Sequence, residues 1–83
     1  MKKIVCDGKN LQRTQEGYAY IRLILDAPET FGNNLDALYD LLTELGTDTE
    51  ISICSEEKMD QRMKKVFINA SIENERLNII LTK

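Results

Sequence analysis

Histidine and tryptophan are missing from this 83-residue chain, and proline occurs once. Without histidine, a serine or cysteine nucleophile loses its commonest general base, and a zinc site loses its usual ligands. The two cysteines, Cys6 and Cys54, form no Cys-x-x-Cys pair, so no metal ribbon or redox motif is present. The four glycines (Gly8, Gly17, Gly32 and Gly46) are scattered, which excludes a phosphate-cradling loop. No apolar run approaches the roughly eighteen residues of a membrane span. Met1-Lys2-Lys3 leads straight into a strand-like segment rather than a signal peptide, which points to the cytoplasm. There both cysteines stay reduced, as small apolar residues closing the runs Ile4-Val5-Cys6 and Ile51-Ser52-Ile53-Cys54. The expectation is a protein that is not an enzyme.

What remains is an ordinary globular composition, 42% apolar and 30% charged, sufficient for one domain over residues 1–83. A chain of this size is held by roughly 4–12 kcal/mol, so a single core truncation matters. The net charge of −3 hides a strong segregation. Residues 1–25 carry +3, residues 26–60 carry −9, and residues 61–83 carry +3. The middle third sets ten carboxylates against Lys58 alone. Such a field attracts a basic partner and repels nucleic acid.

The acidic residues are most ordered between Pro28 and Gly46. Pro28 stops whatever precedes it. Gly32 offers a positive φ for a tight turn, Asn33 or Asn34 can cap a helix, and Gly46 can end one. Between them Leu35, Leu38, Leu41, Leu42 and Leu45 recur at helical spacing and make one apolar stripe. Asp36, Asp40 and Glu44 fall four residues apart in a second column. Like charges so placed cost an isolated helix a few tenths of a kcal/mol per pair. Asp36 recovers part of that near the positive N-terminus, whereas Glu44 sits at the unfavourable end. A helix selected for stability alone could mix lysines into this column, and this one does not.

The same residues carry a resemblance. Pro28-Glu29-Thr30-Phe31-Gly32-Asn33-Asn34-Leu35-Asp36-Ala37-Leu38-Tyr39-Asp40, followed by Leu42-Thr43, resembles the signature block of the barstar family. The family pattern runs Pro-Glu-x-aromatic-Gly-x-Asn-Leu-Asp-Ala-Leu-aromatic-Asp-x-Leu-Thr. Weaker similarity extends from Lys2-Lys3-Ile4-Val5 through Gly8 and over Asn78-Ile79-Ile80-Leu81. Barstar-like proteins are small intracellular inhibitors of secreted bacterial ribonucleases. The resemblance implies a basic ribonuclease bound as a 1:1 heterodimer, a free monomer, and no cofactor, nucleic acid or membrane. It marks Thr30, Phe31, Asn34, Leu35, Asp36, Tyr39, Asp40, Thr43, Glu44 and Leu45 as the partner-binding set. Asp40 would enter the cationic active site in place of phosphate. Asp36 would pair with a second cation, and Tyr39 with Phe31 or Leu45 would exclude water. For Phe31 and Leu45 core packing is an equal or better reading, and for Asn34 a helix cap.

Departures from the pattern are equally specific. Thr30 stands where an aromatic residue often lies, Tyr39 replaces a tryptophan, and Leu45 replaces an aromatic contact. Asn69 falls where the family carries an acidic residue on the last helix.

The expected architecture is α/β and barstar-like. A three-stranded parallel sheet packs with about three helices, in the order strand, helix, helix, strand, helix, strand. Strands are expected at Lys3–Cys6, Glu50–Cys54 and Leu77–Leu81. Residues 14–26 read as strand or helix, and length together with the resemblance favours a helix. Met59, Met63, Val66, Phe67 and Ala70 predict a third helix whose methionines fill core. The chain is short between strand two and that helix, so a short helix of the family is reduced or lost around 55–62. Two other functions remain open: an acidic adaptor for another basic protein, and a magnesium-dependent hydrolase using Asp36 and Asp40.

Overall fold

The computed structural model describes residues 1–83. Strand β1 (Lys2–Asp7) is followed by helices α1 (Gln15–Leu25) and α2 (Leu35–Thr43), then by β2 (Thr49–Cys54). Helix α3 (Gln61–Glu73) leads to β3 (Leu77–Leu81). The strands form one parallel sheet in the order β1-β2-β3, with Ile4, Ile51 and Ile79 in one cross-strand row. The expected α/β architecture and element order are those of the chain. No helix is long and apolar enough to cross a membrane.

Alternation along the strands decides which sheet face is covered. Ile4, Cys6, Thr49, Ile51, Ile53 and Leu77 are buried, and the helices add Ile21, Leu38, Leu42, Met63 and Phe67 to the core on that face. On the opposite face Val5 and Ile80 are exposed and Ser52 is half-buried. Cys6 and Cys54 are free thiols, the latter donating to the Cys6 carbonyl at 3.2 Å. Burial first, then the neighbouring Cys54 and Asp7, push the Cys6 thiol up to about 11, so it stays protonated and unreactive at neutral pH.

Two expectations about turns are corrected. No glycine has a positive φ. The left-handed residues are Asp26 (φ 51°), which closes α1 two positions before Pro28, and Ser55 (φ 53°). Helix α2 stops at Thr43 with Glu44 as its cap, three residues short of a glycine stop at Gly46. Gly17 matters for a different reason: a side chain there would collide with the backbone of Gln12. Met59 is buried but extended, just ahead of α3 rather than inside it. The segment after β2 keeps only a 3₁₀ turn, Glu56–Lys58. Lys64 ties that turn to α3 through Glu56 at 2.7 Å, and Gln12 Nε2 donates to the Lys58 carbonyl at 2.6 Å.

Asp60 caps α3 by accepting from the Met63 N–H at 2.9 Å and pairs with Arg13 Nε at 2.9 Å. Burial raises its carboxyl pKa, but the Met63 hydrogen bond and the Arg13 guanidinium outweigh that and hold it below the usual 3.8. A depressed carboxylate contributes stability that is present above its unfolded pKa and lost as pH falls through the folded value. Asp60→Ala should therefore cost about 0.5–2 kcal/mol at pH 7. The gap to the unmodified chain should narrow below about pH 4. Urea unfolding of both proteins at pH 7 and pH 3 measures this, and a gap that widens in acid contradicts it.

Candidate protein-binding site on helix α2

The loop entering α2 is fixed before the helix begins. The Phe31 N–H donates to the Pro28 carbonyl at 2.9 Å, closing a turn. Arg22 of α1 reaches over and donates through Nη2 to the Phe31 carbonyl (3.3 Å) and to Asn33 Oδ1 (3.1 Å). Asn34 is extended, and its Oδ1 accepts from the Ala37 N–H at 2.8 Å, so its side chain is a helix cap. At the other end the Thr43 hydroxyl donates to the Tyr39 and Asp40 carbonyls at 2.9 and 3.2 Å. Thr43 is half-buried there, and its hydroxyl proton is used within the helix.

Leu38 and Leu42 are wholly buried, while Leu35, Leu41 and Leu45 are half-buried against the core. The predicted stripe therefore anchors α2, with Leu38 and Leu42 at its centre. Asp36, Asp40 and Glu44 are exposed on the outer side. They do not converge on one point. Asp36 lines a groove of about 560 Å³ between α2 and α3, with Leu35, Tyr39, Val66, Asn69, Ile72 and Glu73. Asp40 and Glu44 instead line a hollow of about 250 Å³ against the entry loop, with Thr30 and Phe31 among its walls. Phe31 is 7% exposed and belongs to the core, so it forms the base of that hollow rather than a projecting contact. No three His, Cys, Asp or Glu side chains come together as a metal-binding group.

A family model described as Barstar (barnase inhibitor) matches residues 1–70, more than half of the chain. The chain belongs to the barstar family. The match runs from β1 to near the end of α3, and so takes in α2 and the part of α3 up to Ala70. A curated relative, "Putative ribonuclease inhibitor YrdF" of Bacillus subtilis (strain 168), is 40% identical over 43 residues. That match takes in 52% of this chain and spans about half the length, 47%, of the relative.

Some site features were not anticipated from the sequence. Beside Asn69, which the sequence singled out and which lines the α2–α3 groove, Glu73, one turn on, places an unexpected carboxylate on the same wall. The spacing of four between them was the available signal. Asn74 was missed altogether. It is buried, and its Nδ2 donates to the Leu42 and Leu45 carbonyls at 3.0 and 3.1 Å, satisfying the C-terminal end of α2.

Proposed function

We propose that this barstar-family protein is a cytoplasmic inhibitor of a basic bacterial ribonuclease, which it binds as a single-domain monomer in a 1:1 complex without a cofactor. The carrying observation is α2 itself, capped at both ends and anchored by Leu38 and Leu42, with Asp36 and Asp40 on its free side. A ribonuclease active site gathers cations to hold phosphate and its developing charge. Rigid carboxylates can occupy that cluster in place of the substrate. Family membership and the relative named as a ribonuclease inhibitor support this reading.

The two hollows divide the task. Asp40 enters the cationic cluster, with Glu44 and Thr30 at its margin. Asp36 meets a second cation over the α2–α3 groove, where Glu73 adds negative charge and Tyr39 shields the pair from water. Leu35 and Leu45 support these contacts from the seam with the core.

Excess protein should inhibit at least one ribonuclease in a panel of microbial guanyl-specific and related enzymes, with an equivalence point at one inhibitor per enzyme. Inhibition should survive chelation of divalent metals. A panel left fully active would assign the acidic face to some other basic protein.

A further inference from the structure

Large apolar side chains project into solvent at Met1, Val5, Leu23 and Ile72, each at least 73% exposed. Of these four, only Ile72 lines a concavity, the groove between α2 and α3. It lies in the last turn of α3, one turn beyond Ile68, which is 36% exposed. Asn69 and Glu73 stand beside it, and Leu35, Tyr39 and Val66 continue the apolar lining toward α2. Exposed isoleucine is a modest helix former and contributes nothing to a core it does not enter. The fold alone does not call for an apolar residue here.

We propose that Ile72 is a specificity-determining contact of the inhibitory surface, receiving an apolar side chain of the ribonuclease that borders its cationic cleft. The inference rests on the inhibitor reading and extends the surface across the groove onto α3. Two observations commit the occupant to the basic enzyme rather than to a second copy. Carboxylates of Asp36 and Glu73 flank the apolar lining on both helices, so a second copy would bring like charges together. The groove is also continuous with the exposed side of α2 through Asp36 and Tyr39. An apolar contact framed by charge sorts partners by shape, because any basic protein satisfies the carboxylates but few carry the matching apolar ridge.

The test uses the full chain with a ribonuclease that it inhibits, measuring association and dissociation rates at low and high salt. Ile72→Ser should speed dissociation roughly tenfold at both ionic strengths while leaving association unchanged. Ile72→Val should recover most of the loss. Val5→Ser removes an equally exposed apolar group from the far face of the sheet and should change nothing. All three variants should melt with the unmodified protein, since neither site is in the core. If Ile72→Ser behaves like Val5→Ser while Asp40→Ala weakens binding, the Ile72 contact is overturned and the inhibitor reading stands. If no ribonuclease is inhibited, or neither Ile72→Ser nor Asp40→Ala matters, both are overturned. A concentration-dependent dimer of the free protein that Ile72→Ser dissolves would assign the patch to a second copy.

Discussion

Asp40→Ala should weaken ribonuclease binding by about 2–5 kcal/mol, with nearly all of the loss in faster dissociation. The reason lies in what the substitution leaves behind. In the proposed complex Asp40 is surrounded by the enzyme's phosphate-binding cations, and its removal would strand those cations away from water. Glu44 shares the same hollow but lies a turn later, as the C-cap of α2, which the proposed docking puts at the rim. Glu44→Gln should therefore cost under about 1 kcal/mol, expressed as slower association that fades as salt screens the field. Neither change should harm the fold. Asp40 is exposed and flanked four residues away by Asp36 and Glu44, so alanine relieves repulsion and improves helix propensity. Asp40→Ala should thus melt at the same temperature or slightly higher while binding far worse. Rate measurements at two ionic strengths, paired with thermal melts, check both halves. Faster dissociation from Glu44→Gln than from Asp40→Ala would mean that α2 docks in another register.

Much of this was legible because the signals were local. The leucine spacing located α2, the Asn34 cap marked its start, and alternating burial along Ile51-Ser52-Ile53-Cys54 reproduced the half-open sheet. Methionine and phenylalanine spacing placed α3 correctly apart from Met59. What the sequence did not disclose depended on contacts between distant segments. Gly32 and Gly46 looked like turn residues by type, yet the left-handed positions fell to Ser55 and to Asp26, whose short polar side chain tolerates that conformation. The column of three carboxylates suggested one acidic face. The packing around α2 instead sets Asp36 in hollows on the α3 side and at the helix start, apart from the one that Asp40 and Glu44 line. No periodicity along α2 carries that information, because the walls belong to other elements.

The same limit explains Asn74, whose replacement should be among the most damaging single changes in the chain. It is 9% exposed and joins three elements. Its N–H donates to the Ala70 carbonyl at 2.9 Å, closing α3. Its carbonyl accepts from Leu77 at 3.0 Å, and its Oδ1 from the Arg76 N–H at 3.0 Å, which sets the turn into β3. Its amide then spends both donors on the Leu42 and Leu45 carbonyls at the end of α2. Asn74→Ala leaves these two acceptors and the Arg76 donor without partners, at a cost of about 2–4 kcal/mol. Against a total of roughly 4–12 kcal/mol, that should lower the melting temperature by on the order of 10 °C or more. Asn74→Asp separates the causes. It keeps the acceptor for Arg76 but sets a negative charge against two carbonyls at the negative end of α2. At pH 7 it should be less stable than Asn74→Ala, and it should recover in acid as the introduced carboxyl takes a proton. Ribonuclease binding should weaken in both variants, since the last turn of α2 and its cap carry Asp40 and Glu44 on a backbone that has lost its hydrogen bonds to Asn74. Urea unfolding of the three proteins at pH 7 and pH 4 reads the order directly. An Asn74→Asp protein at least as stable as Asn74→Ala at neutral pH would mean that the two carbonyl bonds are not what holds this junction.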